Sequence, residues 1–279
     1  MGQDHSPARS RVHYERAGSG EPLLLIHGLG GSRMIWAPVI DALTASHDVI
    51  AVDLPGFGRS PVLPDGVAPS AANLAIAVGD LCLELGIDRP HVGGNSLGGW
   101  VALELSKADR AASVCAISPA GLWRSPLGPR ARDVRGLARR LRPLIGTLTS
   151  SGRARAAMLR TTVARPERLT RSEARALIED WLDSPGYDAA NAEMRTRVFE
   201  DPELVEVPTT IAWGAEDRLL RPPRPERMPP GSRYVVLEGC GHTPTWDEPE
   251  RVAALLLESS ATPERTTRQR RRGPVAGTP

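Results

Sequence analysis

Lysine is nearly absent: Lys107 is the only one in 279 residues, so arginine carries almost all of the positive charge. Cysteine is scarce as well. Cys82, Cys115 and Cys240 are odd in number and show no C-x-x-C spacing, which argues against a disulfide framework or a cysteine-based zinc site and fits buried thiols in a reducing compartment. No stretch is long and apolar enough to cross a bilayer, and the first residues lack the apolar run of a signal peptide. The expectation is therefore a cytoplasmic protein with no membrane span. Met1-Gly2 followed by Ser6 formally fits a myristoylation pattern, and nothing else in the sequence supports a membrane role. No internal repeat is visible, and no metal or cofactor is implied. No nucleic-acid-binding fold accompanies the basic stretches. The sequence carries no signal of oligomeric state.

What is present is an ordinary globular composition, 41% apolar, with a net charge of +2. The charge is unevenly spread. Residues 121–200 hold sixteen arginines against nine acids, and a basic cluster runs through Arg268-Gln269-Arg270-Arg271-Arg272 near the end. Pro22-Leu23-Leu24-Leu25-Ile26 and Asp48-Val49-Ile50-Ala51-Val52 are short continuous apolar runs, the mark of strands buried on both faces of a parallel sheet. Ala112–Ile117 reads the same way, the sheet pattern resumes at Val207–Trp213 and again at Arg233–Leu237, and Arg11–Ala17 reads as an edge strand. Helical spacing covers Met34–Ala45, Ser70–Leu85 with Ser70 as N-cap, and Glu248–Glu258. Strand and helix alternating through short loops predicts a parallel α/β sheet. Between Gly121 and Glu206 the alternation breaks into helices alone, among them Arg132–Leu141, Gly152–Val163 and Arg171–Leu182.

The chemistry centres on Gly94-Asn95-Ser96-Leu97-Gly98, a G-x-S-x-G between the strand Arg89–Val92 and the helix Trp100–Ser106. A serine in such a turn needs glycines two before and two after so that neighbouring backbone can pass closely. A serine hydroxyl becomes a nucleophile only with a base, and the base needs an orienting carboxylate. Asp217 follows the strand ending at Trp213, and His242 follows the last strand within Gly239-Cys240-Gly241-His242. Both loops belong to the sheet edge where ligands bind in open parallel sheets. Glu216 competes with Asp217 for the acid, whereas Asp247 reads as the cap of the final helix. The Leu97 N–H at the start of the following helix, and the Leu29 N–H in His27-Gly28-Leu29-Gly30-Gly31, are the expected oxyanion donors, with Gly30 as the alternative to Leu29. His27 reads as a packing and hydrogen-bonding residue of that loop.

These stretches, with Asp53-Leu54-Pro55-Gly56-Phe57-Gly58-Arg59-Ser60, Gly214-Ala215-Glu216-Asp217 and Gly241-His242-Thr243-Pro244, resemble the α/β-hydrolase superfamily over roughly residues 11–258. The resemblance implies a mostly parallel sheet of about eight strands flanked by helices. It divides the chain into a disordered lead (1–10), a core (11–120 and 207–258), a helical cap over the active site (121–206) and a disordered basic tail (259–279). It implies a serine hydrolase acting on a small-molecule carboxylic ester or related acyl compound. Ser96 in place of Asp argues against the haloalkane dehalogenases and epoxide hydrolases. The elbow is similar to those of esterases and of meta-cleavage-product C–C hydrolases, which carry a cap arginine for the substrate carboxylate. Trp123, Trp246 and the cap arginines are the substrate-binding candidates. Alternatives on the same scaffold are a C–C hydrolase, a cofactor-free perhydrolase and a low-turnover ligand receptor.

Overall fold

The computed structural model describes residues 12–129 and 134–261; the lead at 1–10 and the arginine cluster at 268–272 lie outside the described residues. The strands are β1 (Tyr14–Gly18), β2 (Glu21–Ile26), β3 (His47–Val52), β4 (His91–Asn95), β5 (Ser113–Ile117), β6 (Thr209–Gly214) and β7 (Arg233–Leu237). They form one sheet in the order β1-β3-β2-β4-β5-β6-β7. The β1–β3 pair is antiparallel and the others are parallel. Among the described residues the sheet thus has seven strands, one short of the expected number.

The apolar runs follow from burial on both faces. Leu24, Ile26, Ile50, Val52, Val114 and Ala116 point to one side of the sheet. There they pack against α2 (Ala71–Glu84) and α3 (Leu97–Lys107), the second and third helices of the chain. Leu23, Leu25, Val49, Ala51, Cys115 and Ile117 point to the other side, against α1 (Ile40–Thr44) and the last helix (Pro249–Ser260). Period-two alternation with both faces covered leaves no polar side chain in the central stretches Leu23–Ile26 and Val49–Val52. Ser70 caps α2 as expected, its hydroxyl accepting from the Asn73 N–H at 3.2 Å. The helix expected over Met34–Ala45 is instead a 3₁₀ stretch, Arg33–Val39, leading into the short α1. Pro38 inside it has no N–H to give to an α-helical bond. The final helix continues to Ser260, past the expected boundary.

Between β5 and β6 the described residues form helices only: α4 (Val134–Arg140), α5 (Ile145–Leu148), α6 (Gly152–Leu159), α7 (Arg171–Asp183) and α8 (Tyr187–Thr196), with short 3₁₀ turns. Ile145, Leu159, Val163, Leu169, Ala174, Ile178 and Leu182 give this segment an apolar cluster of its own. Thr170 caps α7 in a reciprocal capping box with Glu173. The Pro249–Ser260 helix is α9.

The register sets Ile26 beside Gly94, Asn95 beside Ile117, and Gly214 beside Leu237. The carboxyl ends of β2, β4, β5, β6 and β7 therefore line up, and the loops that follow them share one edge. The Asp53–Ser60 loop after β3 is held to that edge by buried charge. The Asp53 carboxylate accepts from the Arg33 N–H at 2.8 Å, from Arg33 Nη1 at 2.9 Å and from the Arg59 N–H at 3.0 Å. Asp53 is wholly buried and the Arg33 side chain is 9% exposed. Removing one partner of such a pair strands the other charge. Asp53→Ala should lower unfolding free energy by about 3–5 kcal/mol, read by urea unfolding. A loss under about 1 kcal/mol would mean that the pair does not hold the loop.

Candidate active site

Ser96 sits between β4 and α3 with φ 55° and ψ −115°, a conformation that costs a non-glycine residue about 1–3 kcal/mol. The surroundings hold it there. Its N–H donates to Ile117 O at 2.9 Å, and its carbonyl accepts from the Trp100 N–H at 3.2 Å and the Ala120 N–H at 2.9 Å. The turn is too tight for a side chain two residues on: a Cβ at position 98 would lie 2.2 Å from Ile26 O. Gly98 is therefore required by the close passage of β2.

Asp217 and His242 meet across the ends of β6 and β7. The His242 Nδ1–H donates to Asp217 Oδ2 at 2.7 Å. The other carboxylate oxygen, Oδ1, accepts from the N–H groups of Leu219 (2.8 Å) and Leu220 (2.9 Å). Burial pushes the Asp217 carboxyl up, but the hydrogen bond and charge of His242 with the two N–H donors outweigh it, and the net shift is downward. Asp217 thus stays ionised beside the ring. With Nδ1 engaged, His242 Nε2 is left as the free acceptor. It is buried and has no hydrogen-bond partner among the described residues. The two loops approach because position 214 lacks a side chain: a Cβ on Gly214 would stand 2.1 Å from Gly241 O. Glu216, the competing acid, instead pairs with Arg218 at 3.3 Å on the surface.

Two residues that tie His242 in place were not assigned that role by the pattern. Asn95 Nδ2 donates to His242 O at 2.9 Å and to Ile117 O at 3.1 Å, fastening the elbow strand to the histidine loop. Asp247 does not cap the final helix. The residue before that helix is Glu248, and the Asp247 carboxylate, buried, turns back to accept from the N–H groups of Gly241 (2.8 Å), Ala164 (2.9 Å) and Arg165 (3.1 Å). Three backbone donors, two of them from a distant segment, outcompete one helix terminus. Nothing local in the sequence marks this, because two of the donors lie 82 and 83 residues upstream.

The loop holding Leu29 lies against the elbow: a Cβ at position 28 would be 3.0 Å from Ser96 Cβ. Neither the Leu29 nor the Leu97 N–H has a hydrogen-bond acceptor among the described residues. His27 beneath them is wholly buried. Its Nδ1–H donates to Gly28 O at 2.7 Å and its Nε2 accepts from the Leu54 N–H at 2.9 Å, so the neutral ring joins the Leu29 loop to the 53–60 loop. Burial is the main cause that lowers its pKa to about 4, against smaller opposing effects of the Gly28 carbonyl and Asp53.

Of the substrate-binding candidates, Trp123 packs edge-on against Trp100 at 5.8 Å and donates Nε1–H to Arg197 O at 2.9 Å. Trp246 lies against the apolar cluster of the helical segment, its buried indole N–H unpartnered among the described residues. Arg135, the one buried arginine of the segment among the described residues, is committed to structure. It donates to the carbonyls of Trp181, Leu182 and Ser184 and to Asp188, and stacks on the Tyr187 ring at 4.6 Å. Arg165 pairs with Glu248 and Arg142 with Asp183. The three cysteines are buried, and burial raises Cys82 to about 11 and Cys115 and Cys240 to about 12, so none is a nucleophile at neutral pH. No group of three metal-ligating side chains occurs among the described residues.

A sheet of this topology with a strained serine elbow and an Asp–His pair at one edge defines the class of α/β hydrolases. The chain belongs to the alpha/beta hydrolase family, whose model matches residues 23–255. It is 32% identical to epoxide hydrolase EphH of Mycobacterium tuberculosis, over 67% of this chain and 93% of that one. It is 30% identical to the dihydrolipoyllysine-residue acetyltransferase component of the acetoin cleaving system of Cupriavidus necator, over 88% of this chain, and spans 65% of that relative's length. The structure superposes on a thermophilic esterase of Thermogutta terrifontis with a TM-score of 0.67 and 28% identity, covering 88% of this chain and 92% of that one. Among the described residues no helix is long and apolar enough to cross a membrane.

Two outcomes test the supports of the site. Asp247→Asn turns an amide N–H₂ toward backbone donors. It should lower kcat for hydrolysis about 10–100-fold with a much smaller change in KM, as expected when a group at the site shifts by a fraction of an ångström; an unchanged kcat would show that Asp247 does not position His242. The depressed His27 pKa means that the unfolded chain takes up a proton which the folded chain refuses. Its contribution to stability is complete above about pH 6.5 and is lost as the pH falls to about 4, roughly 3 kcal/mol in all. The difference in unfolding free energy between the native protein and His27→Gln should shrink across that window, and a pH-independent difference would contradict the assignment.

Proposed function

We propose that the protein is a serine hydrolase that cleaves a carboxylic ester or related acyl bond of a small molecule. The observation that carries this reading is the buried His242: its Nδ1–H is engaged by ionised Asp217 and its Nε2 is left free, at the same sheet edge as the strained Ser96. Ser96 Oγ attacks the substrate carbonyl carbon while Nε2 takes its proton. Asp217 holds the tautomer and stabilises the imidazolium that results. The carbonyl oxygen, now negative, is received by the N–H groups of Leu29 and Leu97, with the N-terminal end of α3 adding its dipole. As the tetrahedral intermediate collapses, the imidazolium gives its proton to the leaving alkoxide and an acyl-serine remains. A water molecule, deprotonated by Nε2, attacks that ester, and the acid product leaves with Ser96 restored.

Helices α4 to α8 act as a cap, in this reading. Ser96 is 7% exposed and His242 3% exposed, so the site is shut in this conformation and substrate entry requires the helices to shift. The similarity to the esterase supports acyl-transfer chemistry. Serine at the elbow is the nucleophile of that chemistry and sets this chain apart from an aspartate-dependent epoxide opening. The C–C hydrolase reading needs a cap arginine aimed at the site to receive a carboxylate, and the one buried arginine of the segment among the described residues, Arg135, is bound to protein acceptors. In this reading the protein acts in the cytoplasm on a small-molecule substrate.

Hydrolysis of p-nitrophenyl esters of increasing acyl length tests the reading. The native protein should turn over many times, and Ser96→Ala should lose on the order of 10⁴–10⁶-fold in kcat. A single burst without turnover, or full activity in Ser96→Ala, would overturn it.

A further inference from the structure

We propose that the outer face of α4 is a docking surface for an anionic lipid bilayer. The helical bonding from Leu141 N–H to Leu137 O and from Leu144 N–H to Leu141 O carries the α-helical turn through the following 3₁₀ turn. Leu137, Leu141 and Leu144 therefore stand on one line, and they are 60%, 44% and 52% exposed. The opposite side of the same helix is fixed. Arg135 is 2% exposed, with its guanidinium against the α7 carbonyls, and Ala138 and Ile145 pack on the segment's apolar cluster. The three leucines cannot turn inward without breaking that face.

The stretch of chain that carries them is basic. From residue 134 to 165 there are eight arginines and no Asp or Glu. Arg139, Arg140, Arg142, Arg153 and Arg160 are exposed, and among the described residues the acid that reaches one of them, Asp183 on Arg142, comes from α7. A short helix with a leucine line on the outside and arginines around it has the composition of an interfacial element: the leucines sink to the headgroup–acyl boundary and the guanidinium groups pair with phosphates. A second copy of this chain is a poor occupant. A two-fold contact lays the patch on itself, which brings the exposed Arg139 and Arg140 of one copy against those of the other.

The test is flotation of the full chain with vesicles of phosphatidylcholine and phosphatidylglycerol in equal parts, and with phosphatidylcholine alone. The protein should float with the anionic vesicles, be released by high salt, and stay behind with the zwitterionic ones. The triple variant Leu137→Ser/Leu141→Ser/Leu144→Ser should lower the partition coefficient at least about tenfold, and the pair Arg140→Glu/Arg153→Glu should lower it similarly, with thermal melts of both variants near that of the native protein. If a melt shows that the triple variant is unfolded, Leu141→Ser alone should still lower the partition. No flotation, equal flotation on both vesicle types, or unaltered partition in the folded variants would overturn the proposal. So would a dimer by light scattering that the triple variant dissolves, and so would capture only by an acidic protein with vesicles ignored. Flotation of Ser96→Ala should match the native protein, so the result is independent of the hydrolase reading.

Discussion

A single backbone conformation sets the terms for the rest of the molecule. Ser96 has a left-handed φ that its side chain disfavours, and it keeps that φ because β5 and the loop after it hold both its amide and its carbonyl. That requires β4 and β5 to be adjacent and parallel, with β2 close enough on the other side to forbid a side chain at Gly98. The same strand supplies Asn95, whose amide reaches past the sheet edge to the backbone of His242. The elbow strand thus fixes the backbone of His242 as well as Ser96. Asp217 needs only a short loop from β6 to reach the imidazole.

Much of this was legible in the residues. The apolar runs are strands because both sheet faces are covered, and loops rich in glycine mark the places where two backbones touch. Ser96, Asp217 and His242 could be read as the ends of three strands, and Ser70 as a helix cap, because the signals are local. Other features were not local. Asp247 reads locally as a cap, whereas two of its three donors come from another part of the chain. The 3₁₀ stretch after Ser32 has helical apolar spacing, and only the missing N–H of Pro38 separates it from an α-helix. The sixteen arginines of the helical segment could not be sorted by pattern, since Arg135 is recognised by carbonyl oxygens that every residue possesses.

The near absence of lysine takes on meaning at those carbonyls. Arg135 makes four hydrogen bonds in different directions while its plane lies on Tyr187. Arg33 reaches Glu15 and Asp53 at once from a largely buried position. A lysine ammonium has no plane to stack and a more costly hydration shell to shed. The arginines therefore serve as multi-point ties inside the fold as well as surface charge. The segment above the site depends on them for cohesion, having few aromatic residues to fill it.

The way that segment is fastened has a temporal consequence. Thr243 N–H donates to Thr162 O at 2.7 Å, and Asp247 binds Gly241 together with Ala164 and Arg165; at the far end Ser32 Oγ donates to Asp180 at 2.5 Å, and Gly186 N–H to Gly56 O at 2.8 Å. The ties at 162–165 fall on the loop that carries His242, and those at 180–186 on the loops beside Leu29. A swing wide enough to admit a molecule loosens one set or the other. On the proposed mechanism, the open protein then has a misaligned His242 or a misaligned Leu29 loop, and the closed one has both in register. Entry and reaction become successive phases of one cycle, and water arriving through the open door meets a machine that is momentarily disassembled.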